Sequence, residues 1–454
     1  MLKKTAGISA VFRDKKREED FKNKHKIGKN SFTRNRKLGF DKIMTMMIKK
    51  SNKSLQNSIN DTQLDLGEDV TISNSAYTQA RAKLNYTAFK EFGEMARDIF
   101  YEDDRYETYK GFRILAIDGS ITTLPNTVDV KKEFNPMKVK CQIKEFSKDV
   151  SQARVSCLFD VLNNIAIDSS ITNKNKSEEN DLIAYDERTL ALQHLYDCTL
   201  DDLTIMDRGY PSFELFAAVH NNTNILCRIR RNIFSKAKFL FDTHSEKKDA
   251  ILEINAPKYL KDTLRENNIP TTMKIRFIQV ILDNGTVEVL ATNVLDYERL
   301  KTSDFKELYA LRWGIETYFD LIKNRLGLEN FTGQTALAVK QDFFATIFLT
   351  NYESMMTYDI NEELKEKTKD NKYIQKVNKA VSFNAIKHKV FDLLYLDNPI
   401  DEMLEHMKKL FLTNTIIIRP DRKSKPRLDK DIHKSTIATN SINHLKRKRK
   451  NIGN

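Results

Sequence analysis

Two aspartates stand at the ends of apolar segments from different parts of the chain. Asp118 follows the run 114–117 and Asp207 follows the run 203–206. A sheet fixes a carboxylate at the end of a buried strand, and neighbouring strands lie about 4.8 Å apart. Two such carboxylates could share cations, and without a cation one of them would take up a proton. Each aspartate alone also fits a common turn at a strand end, so only the pair indicates a metal site.

A third carboxylate belongs to the segment 307–327, which has the spacing of a helix. Four residues at offsets of 0, 3, 7 and 14 fall within about 60° of one another on such a helix: Tyr309, Arg312, Glu316 and Lys323. The glutamate could complete a metal site, and the other three could hold phosphates through charge-assisted hydrogen bonds. The alternative is a solvated face with salt bridges, and Asp320 on the same stripe competes with Glu316.

These residues resemble the DDE transposases of bacterial insertion sequences, in the branch known as the insertion-sequence-4 family. The stripe matches the signature of that branch, Tyr-x2-Arg-x3-Glu-x6-Lys, at every position, which favours Glu316 over Asp320. DGSxxxLPN at 118–126 and DRGY at 207–210 are similar to the first and second aspartate motifs of the family. SAYTQAR at 75–81 is similar to its N-terminal domain, and the likeness covers roughly residues 40–410.

The resemblance implies cut-and-paste transposition. Two Mg²⁺ or Mn²⁺ ions would activate water to nick DNA at the ends of the element. They would then activate the freed 3′-hydroxyl for hairpin formation and for transfer into target DNA. The implied catalytic residues and metal ligands are Asp118, Asp207 and Glu316. The expected DNA contacts are Tyr309, Arg312, Lys323 and Arg208.

One aromatic residue of the family pattern has no counterpart here. In relatives, a Trp from a β-rich insertion helps with an everted base. The one Trp of this chain, Trp313, lies inside the signature helix about 100° beyond Arg312, so we expect it to pack in the core. A flipped base would then need one of four other aromatic residues: Phe234, Phe239, Tyr259 or Phe277.

The elements that must position these residues can be read from the pattern along the chain. Segment 72–100 predicts two short helices broken around Asn85, with Ser73 or Ser75 as the N-cap. Strands are predicted at 112–120, 153–161, 164–172, 203–209 and 224–230. With the helices between them, they indicate an α/β fold with a ribonuclease H-like mixed sheet, three antiparallel strands being followed by parallel ones.

The predicted sheet is interrupted before the signature helix. Two further strands flank Asp283-Asn284-Gly285, which is a strong hairpin signal and predicts a β-rich insertion. The predicted division of the chain is a basic flexible arm (1–39), a helical DNA-binding domain (40–105), the first part of the catalytic core (106–230), the β-rich insertion (231–300), the second part of the core with the signature helix (301–360), a C-terminal helical region (361–418) and a basic tail (419–454).

The net charge of +13 is concentrated at the two ends of the chain. Residues 1–50 carry 16 Lys and Arg against 5 Asp and Glu, and residues 419–454 carry 12 against 3. Basic ends attract DNA through counterion release, although solvated tails would have the same composition. We expect the N-terminal arm and Lys446–Lys450 to contact DNA without regard to its sequence.

Cysteine usage and hydropathy predict where the protein works. The four cysteines fall singly, without a CxxC pair, so they indicate reduced thiols of a cytosolic protein. No apolar run approaches 18 residues, and the Lys-rich N-terminus is not followed by the apolar segment of a signal peptide. We expect no membrane association and a location in the bacterial cytoplasm, at the nucleoid through DNA.

The resemblance also implies the partners, and two other functions stay open. The implied partners are double-stranded DNA with terminal inverted repeats, target DNA, and a second copy of the chain in a DNA-bound homodimer. The first alternative is a ribonuclease H-like nuclease or resolvase that does not join strands. The second is a catalytically silent, transposase-derived DNA-binding protein.

Overall fold

The regular elements of the first hundred residues, where the structure describes them, are helices. The computed structural model describes residues 2–419 except 35, 52, 70, 103–104, 141–146 and 175–184. The first six helices are α1 (Leu2–Arg17), α2 (Glu19–His25), α3 (Phe40–Lys49), α4 (Leu55–Asp65), α5 (Asn74–Arg81) and α6 (Thr87–Tyr101). The Ser73 hydroxyl caps α5 by accepting a hydrogen bond from the backbone N–H of Ala76 at 3.2 Å. The break between α5 and α6 therefore falls around Asn85, as predicted.

The prediction of a flexible arm for residues 1–39 is wrong in the described part of that segment. Phe12 on α1 is fully buried, and its ring lies 5.1 Å from that of Phe92 and 4.9 Å from that of Phe348. Lys16, one turn later, is also buried and donates a hydrogen bond to the Thr45 hydroxyl at 2.6 Å. The many charges of this segment conceal an apolar face, and most of the surface that covers this face comes from distant parts of the chain.

A mixed sheet follows the helices. Its first part contains β1 (Arg113–Thr123), α7 (Val128–Phe134), β2 (Met137–Lys140), β3 (Ser147–Val150), β4 (Gln152–Asp160), β5 (Ile165–Asn173), α8 (Glu187–Leu195), β6 (Asp202–Met206), α9 (Phe213–Ala218) and β7 (Asn224–Ile229). Five of these strands lie in the order β5-β4-β1-β6-β7, while β2 and β3 form a separate ribbon. Strands β5, β4 and β1 are antiparallel and β1, β6 and β7 are parallel, which confirms the predicted ribonuclease H-like arrangement.

Strand β1 is central because both of its faces are apolar. Leu115 and Ile117 belong to the hydrophobic cluster that includes α8 and α9, whereas Ala116 belongs to the cluster that includes α6. Side chains alternate between the faces of a strand, so a continuous apolar run can be buried only between two layers. The sheet is thus covered on both sides where β1 delivers its aspartate.

The segment predicted as a β-rich insertion extends this same sheet. It contains a 3₁₀ helix (Ser235–Phe241), β8 (Asp249–Asn255), a 3₁₀ turn (Lys258–Leu260), α10 (Lys261–Glu266), β9 (Thr272–Ile281) and β10 (Val287–Thr292). Strand β10 pairs antiparallel with β7, and β9 and β8 continue outward, which gives eight strands in all. Gly285 has a φ of +80°, as the predicted hairpin between β9 and β10 requires.

The signature region is not one straight helix. It consists of α11 (Asp304–Ala310), α12 (Trp313–Asp320) and one turn of π-helix (Leu321–Arg325). The remaining elements are α13 (Ala336–Lys367), β11 (Gln375–Val377), α14 (Lys379–His388), α15 (Val390–Leu394), α16 (Asp401–Thr413) and β12 (Thr415–Ile417). The C-terminal region is therefore helical except for the small ribbon of β11 and β12.

Helix α13 packs against the N-terminal helices, the signature helix and the sheet. It has 32 residues, and its middle is buried nearly all round, as expected of a helix that runs through a core. The N-terminal helices α3 and α6, the signature helix α12 and strands of the sheet share one hydrophobic cluster with it. The segment 40–105 therefore packs as part of a common core.

Two further predictions concern the basic C-terminal tail and the membrane. The basic tail with Lys446–Lys450 lies outside the described residues, except for its first residue. Across the described ranges, none of the helices combines the length and the apolar character needed to cross a bilayer.

Candidate active site

The register of the sheet brings the two aspartates to one edge. Strands β1 and β6 run parallel, and Ala116 lies opposite Ile205. Two residues further on, Asp118 still pairs with β4, whereas β6 has ended and Asp207 begins the following turn. The two carboxylates therefore lie at the same level on neighbouring strands, but the predicted strand end is correct only for Asp207, because β1 continues past Asp118 to Thr123.

Asp118 is held in a largely buried position. Its Oδ1 accepts a hydrogen bond from the backbone N–H of Gly119 at 2.8 Å. Burial raises the pKa of Asp118 to about 6, and the nearby carboxylates of Glu316 and Glu187 act in the same direction. The Gly119 hydrogen bond and the Arg312 guanidinium oppose this shift. A buried carboxyl with such a pKa is a group that a bound cation would stabilise in its charged form.

Asp207 is held by arginine. Arg228 on β7 donates from Nη2 to Oδ1 of Asp207 at 2.7 Å and also forms an ion pair with Glu288 on β10. Burial alone would raise the pKa of Asp207. The backbone N–H of Arg208, together with the charges of Arg228 and Arg312, keeps that pKa below its ordinary value. Asp207 is therefore ionised at neutral pH.

Glu316 reaches the same region from α12. Its Oε1 accepts a hydrogen bond from Nη2 of Arg312 at 2.7 Å. Helix α12 approaches the sheet closely at Gly314, where an added Cβ would lie 3.0 Å from the Cβ of Val161. Asp320, the competing carboxylate, is exposed and accepts a hydrogen bond from Asn324 at 2.6 Å. The charge of Glu316 is among those that raise the pKa of Asp118, and this proximity favours Glu316 as the third carboxylate.

The other members of the predicted stripe surround these carboxylates. Lys323 donates from Nζ to the Ser120 hydroxyl at 2.5 Å and to the Ile121 carbonyl at 2.6 Å. Burial lowers the pKa of Lys323, although the charges of Glu329 and Asp118 oppose the shift. Arg208, the remaining predicted DNA contact, has an exposed side chain on the turn after β6.

Several buried donors at this edge of the sheet have no hydrogen-bond partner within the described residues. They are the hydroxyls of Tyr309 and Tyr210 and the Nε groups of Arg312, Arg228 and Arg154. Burial raises the pKa of both tyrosines well above the ordinary value, so both hydroxyls carry their proton. Unsatisfied buried donors are costly, and an anion with several oxygens would satisfy them. The set therefore suits a phosphate.

Trp313 is exposed, so the prediction that it packs in the core is wrong. Its side chain is 61% exposed, and the Arg312 guanidinium lies 4.9 Å from the ring centroid. Trp313 lies on the side of α12 opposite the buried Ile315, and there it is beside Arg312. Of the four alternative aromatic residues, Phe234 and Phe277 are buried, whereas Tyr259 and Phe239 are 75% and 39% exposed.

Sequence reasoning missed Arg228 and a further acidic residue, Glu187. Arg228 is a charge inside the apolar strand NILCRI, and β7 brings it beside Asp207 because Met206 pairs with Cys227. An arginine in such a strand was the available signal. Glu187 begins α8 and lies against Gly119, where an added Cβ would be 3.2 Å from its Cγ. Only the folded chain reveals this contact.

The chemistry of the donors fits a divalent cation, although the carboxylates are not gathered around a single point. Within the part of the chain that the structure describes, no three His, Cys, Asp or Glu side chains form a group ready to hold a metal ion. Carboxylate oxygens are nevertheless the ligands that Mg²⁺ and Mn²⁺ prefer. Asp207 and Glu316 each have a guanidinium as their present counterion.

The comparison with protein families decides the assignment. Residues 109–352 match the model described as "Transposase DDE domain". The chain belongs to this DDE transposase family. The matched part of this DDE transposase runs from the start of β1 to the middle of α13 and contains all three carboxylates. Members of the family act with divalent metal ions in DNA cleavage and transesterification, as the sequence predicts in outline.

Other comparisons add a structural likeness. No curated protein matches the chain. Among solved structures, one match is the cryo-EM structure of a piggyBac transposase synaptic complex with hairpin DNA. This match has a TM-score of 0.40 and 9% sequence identity over 95% of this DDE transposase and 86% of the other chain. The narrower assignment to the insertion-sequence-4 family stays a prediction.

Proposed function

We propose that this DDE transposase performs cut-and-paste transposition with Asp118, Asp207 and Glu316 as its catalytic carboxylates. The observation that carries the proposal is that Asp118 and Asp207 lie at the same level on neighbouring strands, close to helix α12 and beside buried donors without partners among the described residues. The carboxylates would hold two Mg²⁺ or Mn²⁺ ions. Bound there, these ions would supply Lewis-acid activation of the attacking and leaving oxygens at phosphorus.

The remaining groups of the site would bind the DNA backbone. The Tyr309 hydroxyl and the Nε groups of Arg312 and Arg228 are buried donors without acceptors among the described residues, and a small movement of these side chains would let them donate to phosphate oxygens. Arg208 is exposed and would meet the backbone further out. Lys323 instead fixes the end of β1 and adds positive charge close to Asp118. The protein would thus orient a phosphate between cationic side chains and the carboxylates.

Trp313 is our candidate for contact with an unpaired base. An exposed indole next to a cationic side chain offers a flat surface on which a base can stack, and such stacking contributes about 1–3 kcal/mol. Hairpin formation at the ends of the element would give it such a base. Action as a DNA-bound dimer on terminal inverted repeats and target DNA, at the bacterial nucleoid, completes the proposal.

The proposal is tested by incubating the protein with DNA of its flanking inverted repeat and Mg²⁺, with products resolved on a denaturing gel. We expect a nick at the end of the element, followed by a hairpin. Asp118→Asn, Asp207→Asn and Glu316→Gln should each reduce cleavage to background. The matched control is Asp320→Asn on the same helix, which should cleave as the wild type does. Full cleavage by Glu316→Gln would overturn the site.

The same DNA separates the two rival functions. A pre-cut 3′ end that joins plasmid DNA identifies a transposase, whereas cleavage without joining identifies a nuclease or resolvase. Binding of the end DNA without any Mg²⁺- or Mn²⁺-dependent cleavage would identify a silent DNA-binding protein.

The role of Arg228 has its own test. Arg228→Gln shortens the side chain by two atoms and removes the charged guanidinium that holds Asp207 and faces the phosphate. Loss of a hydrogen bond to a charged group costs about 1.5–3 kcal/mol, so cleavage should slow about tenfold to a hundredfold. Wild-type cleavage rates at saturating DNA would exclude this role.

A further inference from the structure

Two cationic side chains from the N-terminal helices hold the segment that follows the signature helix. This segment, residues 326–335, connects the π-helical turn to α13 and is called the connector below. Lys50, just after α3, donates from Nζ to the carbonyls of Gly327 and Leu328 at 3.4 and 3.2 Å. Arg81, the last residue of α5, donates from Nη1 to the Thr332 hydroxyl at 2.6 Å.

Hydrogen bonds fix the guanidinium of Arg81 in position. All three of its guanidinium nitrogens donate, and the further acceptors are Gln341 Oε1 at 2.8 Å, the Ala338 carbonyl at 2.8 Å and Asp342 Oδ1 at 2.7 Å. Both Arg81 and Asp342 are buried, at 4% and 0% exposure. The other oxygen of Asp342 accepts the backbone N–H of Thr332 at 2.6 Å. The buried ion pair therefore fixes the backbone of the connector as well as one side chain.

The connector packs tightly around Arg81 at Gly333. An added Cβ on Gly333 would lie 2.4 Å from the Cβ of Ala338 and 3.2 Å from Nη1 of Arg81. Buried ion pairs often add little net stability, because desolvation offsets the attraction. A network of this kind does, however, select one geometry over its alternatives. The geometry that it selects here is the approach of the connector to the N-terminal helices.

The other side of the connector touches the active site. Glu329 Oε1 accepts the backbone N–H of Thr123 at 3.0 Å, at the end of the strand that carries Asp118. The Leu328 N–H donates to the Ile322 carbonyl at 3.0 Å, which closes the π-helical turn around Lys323. Lys323 in turn holds Ser120. The connector thus links Lys50 and Arg81 to the π-helical turn that carries Lys323 and to the end of β1, which Lys323 contacts.

We propose that Lys50 and Arg81 are positioning residues, which set the place of Lys323 and of the end of β1 relative to Asp118 through the connector. Their effect on DNA cleavage rests on the proposed function, whereas their effect on the geometry does not. DNA bound by the N-terminal helices would act on the site through the same contacts. The SAYTQAR motif would then serve in the coupling between these helices and the active site.

The test compares Arg81→Lys with Arg276→Lys. Arg276 is a matched control, because it is fully buried, pairs with Asp249 and donates to the carbonyls of Asp296 and Leu300. It lies on β9, which β6, β7 and β10 separate from β1 in the sheet. The first measurement is amide hydrogen exchange of the full-length protein without DNA. We expect faster exchange in 119–124 and 321–328 for Arg81→Lys and unchanged exchange there for Arg276→Lys.

The second measurement is single-turnover cleavage at saturating end DNA and Mg²⁺. A displacement of about 1 Å in a catalytic site can cost about a hundredfold, so we expect Arg81→Lys to cleave about ten- to a hundredfold more slowly at unchanged DNA affinity. Arg276→Lys should cleave at the wild-type rate. Thr332→Val removes the hydrogen bonds of the hydroxyl with Arg81 and Asp342 and keeps the shape. It should show a smaller loss in the same direction and serves if Arg81→Lys does not fold.

Each outcome bears on one of the two proposals. Unchanged exchange in 119–124 and 321–328 for Arg81→Lys or Thr332→Val overturns the positioning role, whatever the cleavage result. Equal slowing by Arg81→Lys and Arg276→Lys overturns it as well, since any loss of a buried arginine would then suffice. If the wild type does not cleave end DNA, the proposed function fails. The exchange result still shows whether Arg81 fixes the geometry of the site through the connector.

Discussion

The protein should become more stable when Asp118 loses its charge. Folding buries this carboxyl and raises its pKa from an ordinary 3.8 to about 6. Two pH units correspond to about 3 kcal/mol between the protonation states, and partial exposure of the side chain reduces this to about 1–2 kcal/mol. Asp118→Asn keeps the shape and the acceptor for the Gly119 N–H. It should therefore raise the free energy of unfolding by that amount at pH 7.

The sign of the pH dependence follows from the direction of the shift. Because the pKa of Asp118 is higher in the folded than in the unfolded state, the folded state binds the proton more tightly. The penalty from the charge is therefore fully present above pH 6, declines between pH 6 and about 4, and is absent below. The gain from Asp118→Asn should follow the same course and disappear in acid.

Urea denaturation in EDTA at pH 7 and at pH 4.5 measures this difference, with equal m-values for the two proteins as a requirement. Asp320→Asn is the control, since that carboxylate is exposed and should change stability by less than about 0.5 kcal/mol. An Asp118→Asn protein that is less stable than the wild type at pH 7 would refute the reasoning. A gain that does not shrink at pH 4.5 would refute it too.

Three further substitutions test the fold and the site. Phe12→Ala should lower the free energy of unfolding by about 3–5 kcal/mol in urea denaturation, because Phe12 is fully buried; a change below about 1 kcal/mol would restore the flexible arm. Gly333→Ala should cost about 1–3 kcal/mol by overpacking in the same assay, whereas Gly93→Ala, with nothing within 4 Å of the added Cβ, should not destabilise. Trp313→Ala should leave the melting temperature unchanged but reduce hairpin formation, and DNA should quench the fluorescence of this one Trp of the wild type; full hairpin formation by the variant would exclude base stacking.

The central sheet could be predicted from sequence because its signals are local. Strands such as β6 are short, almost wholly apolar and bounded by turn residues, and Asn164, with a φ of +58°, makes the turn between β4 and β5. The fold class is confirmed for that reason. The approach of Asp118 and Asp207 also follows from local signals, since each aspartate follows an apolar run of its strand, although β1 continues past Asp118 to Thr123.

What the sequence did not reveal depends on contacts between distant residues. Phe12 is buried mainly by Phe92, Phe348 and Tyr352, so its segment looks disordered when taken alone. The break before α12 arises from short-range bonds such as Leu311 N–H to the Leu308 carbonyl at 3.2 Å. On a helix with 100° per residue, Trp313 lies about 160° from Leu311 and Ile315, so the wheel itself predicts an exposed Trp313, and the expectation that it packs in the core overlooked this.

The ion pairs of the site explain why the three carboxylates do not surround a single point when no cation is bound. Asp207 is paired with Arg228, and Glu316 is paired with Arg312. Asp118 has no ion-pair partner among the described residues and is the carboxylate with the raised pKa. A cation that enters this edge gains most at Asp118, where no guanidinium has to be displaced. When Asp207 and Glu316 then bind the cation, Arg228 and Arg312 would be released and could bind the phosphate. Metal binding and DNA binding would therefore strengthen one another.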